Sequence, residues 1–344
     1  MRVNRQGKAG NDTGALRGQN TQVLNVLSVT FPFFALVLAG YVAIARRMLP
    51  LEAIAGLNGF VLYFALPCML FRFGSGSPIS QLLDPTLFLS YLLCALLLVG
   101  FSVAVSLNAR VRWSDAAFGA LVAAFPNTGF MGVPLLVALL GAGAAGPAIV
   151  TIVVDLVFTT SLCVALSRLD GADEHGAARA AQNALKAVLA NPMPWAISLG
   201  VLASAMSYEL LGPLAKTVGL LADSASPVAL FTIGAVLARS QQLSRATDHS
   251  PILLRDYAWI AAFKLLLHPL LVLLVLSSVM ALGFDMDRFT LVVVVLVAAL
   301  PSASNVALLT ERFGADTGRV ARIILVTTVV AFFTFSAAVA VLHA

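Results

Sequence analysis

The sequence is short of charge. Only 11% of its 344 residues are Asp, Glu, Lys or Arg, against 60% hydrophobic, and its mean hydropathy is +0.96. About a quarter of a soluble domain is charged, so ordinary soluble composition is excluded and a polytopic membrane protein is implied. Cysteine is scarce. Cys68, Cys94 and Cys163 lie inside apolar runs, show no disulfide or metal spacing, and read as small buried hydrophobes. There is no Ser/His/Asp set, no HExxH and no P-loop, which argues against a membrane enzyme or an ATP-driven pump. No catalytic residue, cofactor or metal is expected. The Gly141 to Gly146 stretch follows no strand and carries no nucleotide meaning. The net charge of +5 does not suggest nucleic acid. The basic residues fall between apolar runs, where they set orientation and meet anionic lipid. No cleavable signal sequence is visible, and the polar, Gly/Asn-rich residues 1–22 are expected to be a disordered tail.

What fills the chain is apolar segments. Ten spans are expected, at about 24–45, 51–73, 86–108, 116–140, 147–168, 189–208, 214–238, 257–282, 289–310 and 321–342. The longest polar connection, at 169–188, divides them into a first five-helix unit at 23–168 and a second at 189–344. The halves repeat. Pro67 to Gly74 and Pro227 to Gly234 both read P-x-x-L-F-x-x-G, and Leu121 to Pro126 and Leu296 to Pro301 both read L-V-A-A-x-P. The matches come in the same order, five spans apart. Five is odd, so the second unit enters the membrane from the opposite side, as in the inverted repeats of secondary transporters. Lys and Arg gather on the side that holds Arg46, Arg110, Arg168, Arg239, Arg255 and Arg319, which should be cytoplasmic. Both termini then lie outside the cytoplasm, in a bacterial inner membrane.

Two of the spans are broken. Phe125-Pro126-Asn127-Thr128-Gly129-Phe130-Met131-Gly132-Val133-Pro134 crowds prolines, glycines and an asparagine into the fourth, and Pro301-Ser302-Ala303-Ser304-Asn305 interrupts the ninth. Proline removes a backbone donor, and in hydrocarbon the freed groups are tolerated only against protein or a water-filled cavity. Paired breaks in corresponding positions point to a transporter's site. Asn127 and Asn305 each follow a broken-helix proline, and two half-helix N-termini aimed at the midplane suit an anionic substrate. The other reading is that each amide only repairs its own break. Pro126, Thr128, Gly129, Pro301 and Ser304 complete the candidate binding set.

Asp155 in the fifth span and Lys264 in the eighth are charges near mid-membrane, and such charges are paired or functional. At 1.5 Å per residue they differ by under ~10 Å in depth, within reach of a lysine side chain. They read as either a structural pair or an ion-coupling pair; His268, one turn beyond Lys264, is a candidate for a proton role but reads first as a packed histidine beside Pro269. Asp223 reads either as a cation ligand together with nearby carbonyls or, preferred, as the cap of the half-helix that follows it, near Pro227. Arg72 is expected to snorkel or to attract anions at the outer mouth. Gly129 and Gly132 are expected to permit a close helix crossing.

Asn127 to Leu135 and Pro301 to Asn305 resemble the two signature stretches of the auxin efflux carrier family, as do Ser226 to Gly234 and Lys264 followed by Pro269. The likeness covers nearly the whole chain after residue 22. It implies an all-α membrane protein of ten helices in two inverted five-helix units, with broken helices 4 and 9 crossing. It implies a scaffold of helices 1, 2, 6 and 7, a moving part of helices 3–5 and 8–10, and a homodimer through the scaffold. Plant members export the indole-acetate anion, and their crossover asparagines, here Asn127 and Asn305, contact its carboxylate. The short 169–188 connection resembles the bacterial branch, which includes malonate and malate permeases. The fold is also similar to sodium/proton antiporters, whose fifth-helix acid and lysine match Asp155 and Lys264, although Val154 stands where those proteins have a second acid.

The expected function is therefore secondary transport of small organic anions, carboxylates such as malonate or malate, by alternating access, with H+ or Na+ as a coupling ion. The alternative is a monovalent cation/proton antiporter using Asp155 and Lys264, and a third class is a non-transporting membrane receptor.

Overall fold

A computed structural model describes residues 28, 31–76, 84–107, 111–169, 192–246 and 257–342. The expected tail at 1–22 and nearly all of the 169–188 connection lie outside the described residues. Apart from isolated bridge residues at Val111, Pro126 and Ser302, everything regular among the described residues is helical. In chain order the helices are α1 (Phe31–Ala45), α2 (Ala53–Gly76), α3 (Pro85–Ser106), α4 (Trp113–Ala124), α5 (Thr128–Leu140) and α6 (Ala142–Leu166). They continue with α7 (Pro192–Ala205), α8 (Gly212–Ala246), α9 (Ala258–Ala281), α10 (Arg288–Ala299), α11 (Asn305–Phe313) and α12 (Thr317–Leu342).

Six of the ten expected spans are helices long and apolar enough to cross a membrane, in α2, α3, α6, α8, α9 and α12. Shorter apolar helices occupy the other positions, and the fourth and ninth spans break where their prolines require it. Local chemistry sets the starts. Asp84 caps α3 by accepting the Thr86 and Leu87 N–H groups at 2.8 and 3.1 Å, with Pro85 at the first helical position. Asp287 caps α10 through the Thr290 N–H at 2.7 Å. The outward faces carry exposed leucines and phenylalanines, such as Leu89, Leu93, Phe101, Leu199, Leu270 and Phe333. On a water-soluble protein that surface would aggregate, whereas lipid covers it without cost.

Two helix crossings are made by backbone alone. A Cβ added at Gly234 of α8 would fall 1.8 Å from the Val37 carbonyl of α1, and one at Gly40 would fall 1.8 Å from the Phe231 carbonyl. A Cβ at Gly200 of α7 would fall 2.5 Å from the Phe71 carbonyl of α2, opposite Gly74. Small residues let membrane helices approach this closely, where van der Waals contact is the main attraction left to them. Gly74 and Gly234 end the two P-x-x-L-F-x-x-G segments, and Gly40 and Gly200 lie at the same sequence offset from one another.

Two expectations fail here. No half-helix begins near Pro227, because α8 runs unbroken from Gly212 to Ala246 with the proline inside it. Neighbouring helices cover the gap a proline leaves, so its presence alone does not end a membrane helix. Asp223 caps nothing and instead binds Arg72 of α2, Nη1 to Oδ1 at 2.6 Å. Gly129 also does not mark a tight crossing, since a Cβ there would meet only Leu66 Cδ1 at 3.9 Å. Gly132 does, with Leu300 Cδ1 at 2.5 Å.

Candidate functional site

The largest core cluster surrounds the two breaks. Phe125 and Leu300 leave the helical conformation for extended backbone, with ψ of 102° and 157°. The two extended pieces then pair antiparallel through Pro126 and Ser302. The Asn127 N–H donates to the Pro301 carbonyl at 2.8 Å, and the Ala303 N–H donates to the Phe125 carbonyl at 2.9 Å. Each break thereby satisfies backbone groups of the other, as the hydrocarbon interior demands.

Side chains complete the repair, and the prolines dictate where. Pro126 cannot donate to the carbonyl four residues before it, Val122, so the Ser302 hydroxyl does, at 2.7 Å. Pro134 likewise abandons the Phe130 carbonyl, which takes the Ser226 hydroxyl of α8 at 3.1 Å. At the second break the Ser302 N–H, which a continuous helix would spend on Ala298, donates to Thr327 Oγ1 of α12 at 3.2 Å. The Ala298 carbonyl takes the Lys264 ammonium of α9 at 2.6 Å. Both sequence-selected asparagines are left out of this repair. Asn127 makes no side-chain cap bond, its carbonyl instead accepting the Met131 and Gly132 N–H groups at 3.1 and 2.9 Å. Asn305 holds its amide oxygen buried and without a partner.

Asn127 and Asn305 line one cavity of about 30 Å³, shared with Pro126, Gly129, Leu66 and Leu156. That volume admits a water or two and no dicarboxylate. Thr128 is buried, its hydroxyl 3.5 Å from the Pro126 carbonyl. Pro301 contributes its carbonyl, and Ser304 accepts the Ala307 N–H at 3.2 Å. A larger crevice of about 660 Å³ opens between the start of α3, α6 and α7. Its lining is apolar apart from Asp84 and Ser198, with no basic residue to hold an anion.

Asp155, Lys264 and His268 are all fully buried and belong to one polar cluster. Asp155 and Lys264 form no direct ion pair, contrary to the reach argued from their depths. Instead Asp155 accepts from the hydroxyls of Tyr91 and Thr159, each at 3.1 Å. Lys264 lies 3.0 Å from His268 Nδ1, and the His268 ring faces Tyr91 at a centroid distance of 6.2 Å. His268 Nε2 is buried without a partner. The freed Ala298 carbonyl takes the ammonium instead, a partner that helical rise alone does not name.

Four π-helical turns bracket the site, at Val61–Ala65, Thr128–Gly132, Val154–Thr159 and Phe263–Leu267. Asp155 and Lys264 each sit in one, and π turns cluster at functional positions because the widened turn re-aims side chains. Sequence reasoning missed Tyr91, Thr159, Ser226, Ser302 and Thr327 as partners. A signal existed for the two serines, since each proline names the carbonyl that will need a donor.

Sequence comparison relates the chain to known membrane transport proteins. The membrane transport protein family matches residues 26–339. A Rhizobium meliloti protein described as a "putative malonate transporter" is 29% identical over 314 residues, covering 90% of this chain and 93% of its own. A Methanothermobacter thermautotrophicus protein described as an "uncharacterized transporter" is 27% identical over 315 residues, covering 91% and 94%. The match spans both breaks and both buried charges, so the protein is a transporter and not an enzyme, and it belongs to the membrane transport protein family that includes the auxin efflux carriers.

Proposed function

We propose that the protein is a secondary carrier of small organic anions, dicarboxylates such as malonate or malate, and that it binds them at the crossover between Asn127 and Asn305 by alternating access. One observation carries this reading. The two amides share a buried cavity and neither repairs a helix end, because Ser302, Ser226, Thr327 and Lys264 perform that repair. An amide offers two donors and one acceptor. Nothing holds the Asn305 oxygen, so the group is free to turn its NH2 toward a carboxylate. Two half-helix N-termini at the same point add partial positive charge. The cavity must enlarge before a dicarboxylate enters, which is the opening step of an alternating-access cycle.

The paired glycine crossings, Gly40 with Gly234 and Gly200 with Gly74, support two inverted five-helix units, 23–168 and 189–344; the Lys/Arg-rich loops are the ground for placing that side in the cytoplasm and both termini outside. A second reading, exchange of a monovalent cation for protons, draws on the buried Asp155 cluster. Purified protein in liposomes separates the two by what moves. Radiolabelled malonate should accumulate under an imposed proton or sodium gradient. A liposome that moves sodium or protons without malonate would replace the first reading with the second.

A further inference from the structure

We infer that Lys264 is a positioning residue of the binding site, holding the second broken strand through the Ala298 carbonyl so that Asn305 faces the cavity. The inference rests on the crossover being the site, as proposed above. Lys264 does not touch the cavity. Its ammonium donates to the Ala298 carbonyl at 2.6 Å, at the last turn of α10. From there the chain runs through the extended Leu300 and the Pro301–Ala303 bridge directly into Asn305. Nothing within α10 can replace this bond, because the N–H that would have served Ala298 belongs to Ser302 and is spent on Thr327. A carbonyl at a helix C-terminus carries partial negative charge, so an ammonium is its best-matched donor.

The lysine is itself held on the other side. His268 Nδ1 lies 3.0 Å from Nζ, and the Asp155 carboxyl group, fixed by Tyr91 and Thr159, completes the cluster. Lys264 lies in the π turn at Phe263–Leu267, and His268 follows directly after it. A conventional ion pair with Asp155 would stabilise α6 against α9 and leave α10 untouched. The observed bond ties α9 to the break instead. The first break has no such tie, since both of its freed carbonyls take serine hydroxyls.

The test compares Lys264→Met with Lys264→Gln in the full-length protein. The two replacements are equal in length and differ in that only Gln keeps a donor. Hydrogen exchange is followed without ligand in residues 298–306 and 121–132, and malonate binding is then measured by calorimetry. Lys264→Met should speed exchange in 298–306 by about ten- to a hundred-fold, the equivalent of one lost hydrogen bond to a charged group, and leave 121–132 unchanged. Malonate binding should weaken in the same proportion, and Lys264→Gln should recover most of both. If Lys264→Met does not fold, Lys264→Gln alone decides, since it should keep wild-type exchange in 298–306. Equal exchange in Lys264→Met and wild type, equal loss in the Gln and Met variants, or fast exchange in 298–306 of Lys264→Gln would each overturn the inference. Wild-type protein that does not bind malonate would count against the substrate and leave the exchange comparison standing.

Discussion

The two broken helices meet at one bridge, yet they are repaired by different chemistry. At the first break, prolines 126 and 134 free the Val122 and Phe130 carbonyls, and neutral serine hydroxyls close both, one from the second break's bridge and one from α8. At the second, the freed Ala298 carbonyl is closed by an ammonium that belongs to a buried cluster with His268 and Asp155. A hydroxyl keeps its proton throughout any physiological cycle, whereas a buried ammonium is a group that protons, cations or neighbouring charges can act upon. The difference leaves the first break held by hydroxyls alone and ties the second to the buried cluster of Lys264, His268 and Asp155.

The largest expected effect tests whether the two asparagines stand outside this repair. Asn127→Ala and Asn305→Ala should each weaken malonate binding by about ten- to a hundred-fold, one hydrogen bond to a charged group, with an unchanged thermal midpoint. A drop in stability as large as the drop in affinity would return both residues to the role of helix repair and erase the distinction.

Ser302→Ala asks how far the halves depend on one hydroxyl. It strands the Val122 carbonyl, a buried acceptor, and should cost about 1–3 kcal/mol in thermal or denaturant unfolding of the purified protein. Ser226→Ala should behave alike at the Phe130 carbonyl. A midpoint identical to wild type in both would mean that the first break is closed by something other than these serines.

The smallest effects separate the two glycines of the first break. Gly132→Ala must displace Leu300, which lies 2.5 Å from the new methyl group, and should destabilise by about 1–3 kcal/mol. Gly129→Ala meets only Leu66 at 3.9 Å and should stay within about 0.5 kcal/mol. Matching midpoints would show that Leu300 yields freely and that the bridge is looser than its geometry.

Much of this was legible in the residues. Prolines 126 and 301 announce their breaks because a missing N–H is a property of the residue itself, and the asparagines announce themselves by lying beside them. The six long spans follow from hydropathy alone. Helical rise suggests a shared depth for Asp155 and Lys264 but does not name the lysine's partner, because that depends on which carbonyl the fold leaves open. Asp223 misled because a proline downstream looks like a helix boundary, and only the packing around α8 shows that the helix continues. The four π turns have no signature in composition or spacing. They arise where tertiary contacts reward a widened turn.

The bridge at Pro126 and Ser302 also bears on how the chain is made. Asn127 and the Val122 carbonyl are synthesised long before Pro301 and Ser302, the residues that satisfy them. At about 5–20 residues per second, the ribosome leaves them waiting for roughly 10–35 s. Through that interval the emerging fourth span carries open backbone polarity that hydrocarbon will not accept. The first half therefore completes its insertion against water or the translocation machinery, and becomes a finished membrane structure only when the second half arrives.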